Sequence, residues 1–189
     1  GYRAFRGASS LTSITIPDTV TSIGDAFDYA TSLTSINVDI SNSNYTSIDG
    51  VLFNNDKSIL IQRPSGKTDT FYTIPDGVTS IGNYAFSQAT SLTSVTFGEN
   101  SQLTSIGDYA FNSATSLTTI NIPDGVTSIG NNAFRDATSF TTVYLTKNLI
   151  IGNTTYEIGT SGTFFGALNV YFKEPQPPQP PQPICFPAG

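Results

Sequence analysis

The feature that most constrains the fold of this chain is an internal repeat of about 23 residues. Five segments share the pattern Ala-Phe-x-x-Ala-[Ser/Thr]-Ser-[Leu/Phe]-Thr, and their first phenylalanines are spaced by 22, 59, 25 and 23 residues. A unit this short buries its apolar side chains only by stacking on its neighbours, so the repeat predicts a solenoid and not a single closed core. The five phenylalanines are Phe5, Phe27, Phe86, Phe111 and Phe134.

Each unit contains two extended phrases. The first has the apolar spacing Leu-x-x-Ile-x-Ile, as in Leu117, Ile120 and Ile122, and it alternates with period two in β-branched residues, which predicts a short strand. The second reads Val-Thr-Ser-Ile-Gly, as at 126–130. No segment keeps helical periodicity for ten residues. We therefore expect a mainly β solenoid with a parallel sheet on one face, short turns and little helix.

The gap of 59 residues hides a longer, irregular unit near 39–74. The stretch 45–50 matches the second phrase, so Leu52-Phe53 would stand where other units have Ala-Phe. A glycine follows the second phrase in most units, and we expect it to bend the chain at positive φ. These glycines are Gly24, Gly82, Gly107 and Gly130.

The order of these phrases resembles the BspA-like, or treponemal, leucine-rich repeats over residues 1–172, which would hold about six to seven units. The chain starts inside a repeat, so we expect the array to be truncated at its N-terminus. Family units often carry Cys where this chain has a small alanine. The resemblance implies a leucine-rich-repeat solenoid and a surface-exposed adhesion or binding protein, at the cell surface or outside the cell. The alanines are Ala8, Ala30, Ala89, Ala114 and Ala137.

Composition narrows the possible functions. Fourteen acidic against eight basic residues give a net charge of −6, which argues against nucleic acid. The chain has no His and one Cys, which excludes a Ser-His-Asp triad, a His-ligated metal and a disulfide framework. No apolar stretch approaches the ~20 residues of a membrane span. We expect a monomer without enzymatic activity, cofactor or metal, and we assign Asp18, Asp76 and Asp124 to turns in preference to calcium sites.

The strand residues between the buried ones form the candidate ligand-binding surface. Solenoids commonly bind partners on such a sheet face, and here the ligand would be a protein or a glycan. A solvated face of β-favouring residues without a ligand is the alternative. With a ligand, the function would be that of a recognition or adhesion module; without one, the array would be a structural spacer. A third hypothesis is an ice-binding surface, which the mixture of side chains disfavours. The residues are Ser13, Thr15, Ser35, Asn37, Ser94, Thr96, Thr119, Asn121, Thr142 and Tyr144.

The C-terminal residues differ from the repeats. Residues 173–184 are rich in Pro and Gln and predict an extended polyproline II spacer. Residues 185–189, Cys-Phe-Pro-Ala-Gly, are similar to the opening of a Hint module, the self-processing fold of inteins and hedgehog C-terminal domains. This resemblance implies that Cys185 attacks the carbonyl of Ile184 in a longer parent, since the acid/base group is absent here. The alternative is an unremarkable terminal Cys, and in either case a Cys185-linked dimer is expected in air.

Overall fold

The structure is a computed structural model that describes residues 1–145, 150–151 and 169–172. The described part is built from short strands and turns without helix, and therefore contains no helix able to cross a membrane. The predicted mainly β solenoid is confirmed. The strands are β1 Ser13–Ile16, β2 Ser35–Val38, β3 Tyr45–Ile48, β4 Val51–Asn54, β5 Ile59–Gln62, β6 Phe71–Ile74, β7 Ser80–Ile81, β8 Ser94–Phe97, β9 Ser105–Ile106, β10 Thr119–Asn121, β11 Ser128–Ile129, β12 Thr142–Leu145, β13 Ile150–Ile151 and β14 Asn169–Phe172.

The first extended phrase of each unit forms parallel sheets. One has five strands in the order β14-β12-β10-β8-β6, and we call it the outer sheet; β1 and β2 form a separate pair. Ile120 is paired with Val95 on one side and with Val143 on the other. All three side chains are buried, so the alternation in the sequence correctly identified the side of each strand that faces the core.

The second phrase forms another sheet, which has seven strands in the order β13-β11-β9-β7-β5-β4-β3. Its regular members are only two residues long and parallel, as in the pairing of Ser105–Ile106 with Ser128–Ile129. Each regular turn of the solenoid therefore carries two strands, one in each sheet, and its apolar side chains are buried between them.

The phenylalanines stack into a ladder through the core. The ring centroids of Phe86 and Phe111 are 4.9 Å apart, and those of Phe111 and Phe134 are 5.1 Å apart. These three rings are fully buried, as expected for units that bury their apolar side chains by stacking on their neighbours. Phe5 is 40% exposed because it belongs to the first unit and has a neighbour on one side only.

The irregular unit differs from the sequence prediction. The residues Asp49 and Gly50 have φ values of 49° and 75° and form a tight hairpin between β3 and β4, which are antiparallel. Leu52-Phe53 therefore lies inside β4 and does not replace Ala-Phe. The residue at that place is Arg63, whose N–H donates to the carbonyl of Ala85 at 2.8 Å, as Phe86 N–H does to Ala110 at 2.7 Å.

The prediction that the glycines after the second phrase bend the chain at positive φ was wrong. None of the four glycines has positive φ; in the last three units that conformation falls two residues later, at Tyr84, Tyr109 and Asn132. Gly107 and Gly130 are required by close stacking, since a Cβ on them would lie 2.7 Å from the backbone N of Asn83 and 2.5 Å from that of Asp108, respectively. A side chain cannot fit between two units at this point.

Many threonine hydroxyls join consecutive units. Thr93 Oγ1 donates to the carbonyl of Thr70 at 2.8 Å, and Thr104 Oγ1 donates to that of Thr79 at 3.0 Å. Each bond satisfies a hydroxyl through the backbone of the neighbouring unit. The 27 threonines of the chain are thus partly structural, and not all of them are available to a ligand.

Candidate functional site

Four adjacent strands of the outer sheet, β6, β8, β10 and β12, present two rows of side chains away from the core. The parallel register aligns the first residues of these strands in one row and the third residues in the other. We call these eight side chains the outer face. They are Phe71, Ser94, Thr119 and Thr142 in the first row, and Thr73, Thr96, Asn121 and Tyr144 in the second.

The structure divides the ten residues predicted to bind a ligand. Six of them lie on the outer face, whereas Ser13, Thr15, Ser35 and Asn37 lie on the separate β1–β2 sheet. Every Cα of β2 is more than 8 Å from every Cα of β6. The hairpin is the cause, because its turn contacts β2, where Ile36 N–H donates to the carbonyl of Gly50 at 2.9 Å. The predicted surface is therefore not continuous.

Sequence reasoning missed two residues of the outer face, Phe71 and Thr73 on β6. Phe71 is 68% exposed, and Thr73 Oγ1 lies 2.9 Å from Thr96 Oγ1. A signal for this strand was present, because Ile-Pro-Asp-Gly at 74–77 repeats the phrase at 122–125 that follows β10.

The outer face carries no charged side chain: its members are hydroxyl residues, one amide and two aromatic residues. It therefore offers a ligand hydrogen bonds and apolar contacts without the strong electrostatic field of charged side chains. It contains no pair of titratable groups of the kind that general acid–base chemistry uses.

A cleft of about 540 Å³ opens at the carboxyl ends of β8 and β10. Thr96 and Asn121 of the outer face line it, together with the loop at 98–101 and the turn at 123–125. The cleft continues the outer face in the strand direction, and the sequence did not predict it.

The structure places Asp18, Asp76 and Asp124 in equivalent turns. In each, the valine two residues after the aspartate closes a turn by donating its N–H to the carbonyl of the proline that precedes the aspartate, at 3.2, 3.0 and 3.1 Å. No group of three or more His, Cys, Asp or Glu side chains among the described residues could hold a metal ion. Turn formation thus accounts for the recurrence of these aspartates.

The remaining predicted site residue, Cys185, lies outside the described residues, as do the Pro/Gln-rich segment 173–184 and residues 185–189. The first repeats and the outer face lie entirely within the described residues.

Comparison with known proteins agrees with this architecture. Residues 1–70 and 67–161 match the model of the BspA type leucine rich repeat region, in six copies. No curated protein sequence matches the chain.

Several solved structures are similar. A leucine-rich repeat protein from Eubacterium ventriosum is 37% identical with a TM-score of 0.67, over 71% of this chain and 36% of that one. A leucine rich cell surface protein from Faecalibacterium prausnitzii is 25% identical with a TM-score of 0.60, over 88% of this chain and 49% of that one. The pneumococcal vaccine antigen PcpA, at 24% identity and a TM-score of 0.66, shares the fold over 87% of this chain and 46% of its own. This chain thus spans less than half the length of each.

Proposed function

Because the chain belongs to the BspA-type leucine-rich repeat family, we propose that it is a non-enzymatic recognition or adhesion module that binds a protein or glycan at a cell surface. The observation that carries this proposal is the outer face, an uncharged array of hydroxyl, amide and aromatic side chains on a rigid parallel sheet. Repeat proteins use such extended surfaces to bind partners.

The exposure of the aromatic residues supports binding over a purely structural role. Phe71 is 68% exposed and Tyr144 is 42% exposed on a face otherwise made of small polar residues. The largely exposed ring of Phe71 contributes little to the solenoid itself, whereas aromatic side chains are enriched at binding surfaces. The cell-surface description of the Faecalibacterium relative supports display outside the cell.

The test is a binding screen of the labelled chain against arrays of glycans and extracellular proteins. Thr119→Arg places a charged side chain in the middle of the outer face and should abolish binding to any specific ligand. Thr90→Arg, in the exposed turn before β8, is the matched control and should bind normally. If no ligand is found, or if both variants bind alike, the array is a spacer and the proposal is wrong.

We further propose that residues 173–184 are a spacer and that Cys185 begins a self-processing module in a longer parent protein. The phrase Cys-Phe-Pro-Ala-Gly directly after a proline-rich segment supports this. The thiolate of Cys185 would attack the Ile184 carbonyl, so that the peptide bond is replaced by a thioester and the cysteine nitrogen becomes the free amine. A second nucleophile then releases the repeats.

Mass spectrometry of the expressed parent tests this step. A fragment that ends at Ile184 is expected, and Cys185→Ala should abolish it. A parent that stays intact in the presence of thiols, or that is cut equally without Cys185, overturns the self-processing proposal and leaves the recognition proposal untouched.

A further inference from the structure

The cleft beside the outer face results from a local insertion. From Phe97 to Leu103 the chain has two more residues than from Ile122 to Val126, the equivalent stretch of the next unit. The extra residues form a loop that stands beside the following turn, and the space between them measures about 540 Å³. This volume lies in the range of roughly 300–1,000 Å³ that is typical of small-ligand sites.

The cleft has five polar side chains, of which the two carboxylates only accept hydrogen bonds and the other three both donate and accept. They are the carboxylates of Glu99 and Asp124, the amide of Asn121 and the hydroxyls of Thr96 and Ser101, and none of the Lys or Arg residues that the structure describes lines the cleft. A carboxylate only accepts hydrogen bonds, so a matching ligand must donate several of them. The negative charge of Glu99 also repels an anionic ligand.

The apolar part of the lining favours a ligand with a ring face. Phe97 and Pro123 are half-buried and contribute to the wall of the cleft. A sugar ring combines donor hydroxyls on its edge with C–H groups on its faces, so it satisfies both parts of this lining. In the described part of the chain, no group of three or more His, Cys, Asp or Glu side chains lies together where it could hold a metal ion.

The outer face extends the same chemistry. Thr96 and Asn121 belong to both the cleft and the outer face, so a chain held in the cleft continues over uncharged hydroxyls. Phe71 and Tyr144 lie three strands apart, about 14 Å at the usual strand spacing, and are exposed on this path. A basic peptide would find carboxylates in the cleft but none along the outer face, whereas a neutral glycan finds suitable partners in both.

We infer that the cleft is a subsite for a neutral glycan, held by Glu99 and Asn121 and continued over the outer face. The inference rests on the proposed recognition function and names the ligand class for it. A single lost hydrogen bond to a charged group lowers affinity by about tenfold or more.

The experiment measures binding of the full chain to linear neutral hexasaccharides (gluco-, manno- and galacto-configured), to oligogalacturonate and to hexalysine. At least one neutral hexasaccharide should bind and oligogalacturonate should not. Glu99→Gln and Asn121→Ala should each weaken that binding about tenfold. Asn55→Ala is the matched control, because Asn55 is exposed in the turn between β4 and β5 and does not line the cleft, and it should leave affinity unchanged.

Three results would overturn the inference: no neutral hexasaccharide binds, the cleft variants bind like the control, or hexalysine binds in their place. If any of these occurs while the array screen still finds a ligand sensitive to Thr119→Arg, the glycan subsite is wrong and the recognition module stands. Loss of the array ligand as well would remove both.

Discussion

The hydroxyl of Ser87 donates a hydrogen bond to the carboxylate of Asp28 at 3.4 Å, although 59 residues separate them in the chain. Each residue follows the phenylalanine of its own unit, Phe27 or Phe86. The contact shows that the units before and after the irregular unit meet at this edge of the solenoid. On the edge that carries the strands, the irregular unit instead separates β2 from β6.

Because the Asp28 carboxylate is buried, we expect removal of the Arg6 guanidinium to lower the stability of the protein. Asp28 is 2% exposed and Arg6 Nε lies 3.1 Å from its Oδ2. Arg6→Ala leaves the buried carboxylate with the Ser87 hydroxyl as its remaining side-chain partner among the described residues, so we expect urea titration to show a loss of about 1–3 kcal/mol in the free energy of unfolding. Arg135→Ala, which breaks an exposed pair with Asp136, should stay within about 0.5 kcal/mol. Equal effects would show that the Arg6 pair is solvated.

The phenylalanine ladder predicts a large difference between the core and the outer face. Phe111 is fully buried between Phe86 and Phe134, so Phe111→Ala should cost roughly 3–5 kcal/mol of unfolding free energy. Asn121→Ala on the outer face should stay within about 0.5 kcal/mol. Similar losses at the two positions would contradict the assignment of the two sides of the strands.

Because Arg63 is buried, we expect removal of its charge to leave stability unchanged or to increase it. Its side chain is fully buried, its Nη2 donates to the carbonyl of Asp69 at 3.1 Å, and its Nε has no hydrogen-bond partner among the described residues. Burial lowers the pKa of the guanidinium, which reflects the cost of desolvating the charge. Arg63→Met removes that charge and keeps most of the volume, so it should be neutral or stabilising by about 1 kcal/mol.

Arg63→Ala is the contrasting variant, since it also leaves a cavity and should cost about 2–4 kcal/mol. Thermal unfolding of the two variants separates volume from charge. If Arg63→Met is as damaging as Arg63→Ala, the hydrogen bond to Asp69 is more important than the desolvation of the guanidinium.

Alanine substitutions at two glycines distinguish the effect of close packing on stability from the effect of backbone conformation. Neither Gly130 nor Gly77 has positive φ. A Cβ on Gly130 would meet backbone atoms at 2.5 and 2.6 Å, so Gly130→Ala should destabilise by about 1–3 kcal/mol. A Cβ on Gly77 would meet nothing within 4 Å, so Gly77→Ala should be neutral or stabilising by up to about 1 kcal/mol. Calorimetric melting of both variants checks the order.

Tyr72 predicts a loss of stability at high pH. Burial raises the pKa of its phenol to about 12, and the nearby Arg63 opposes this only in part. Because the unfolded phenol ionises near pH 10 and the folded one near 12, the contribution is complete below about pH 10 and is lost as the pH rises to 12. Tyr72→Phe should flatten the decrease in unfolding free energy over this interval; an unchanged pH profile would assign the decrease to other groups.

The regular units could be predicted almost completely from the sequence. Their strands follow from the alternation in Ile120 and Ile122, and the buried alanines follow from the small residue at one position in each unit. The outer-face residues of β8, β10 and β12 were predicted for the same reason. The prediction that β2 continues the same surface was wrong, because it assumed that every unit adds one strand to each sheet.

The repeat period, the buried side of each regular strand and the family thus follow from the sequence alone. These properties are local, because each unit repeats the same residues and packs on its nearest neighbours. Three features became visible only in the folded chain: Asp49-Gly50 turns the chain back, Arg63 takes the place of a phenylalanine, and a longer loop opens a cleft beside Thr96 and Asn121. Those features depend on contacts between residues that are distant in the chain and do not repeat, so no periodic pattern records them.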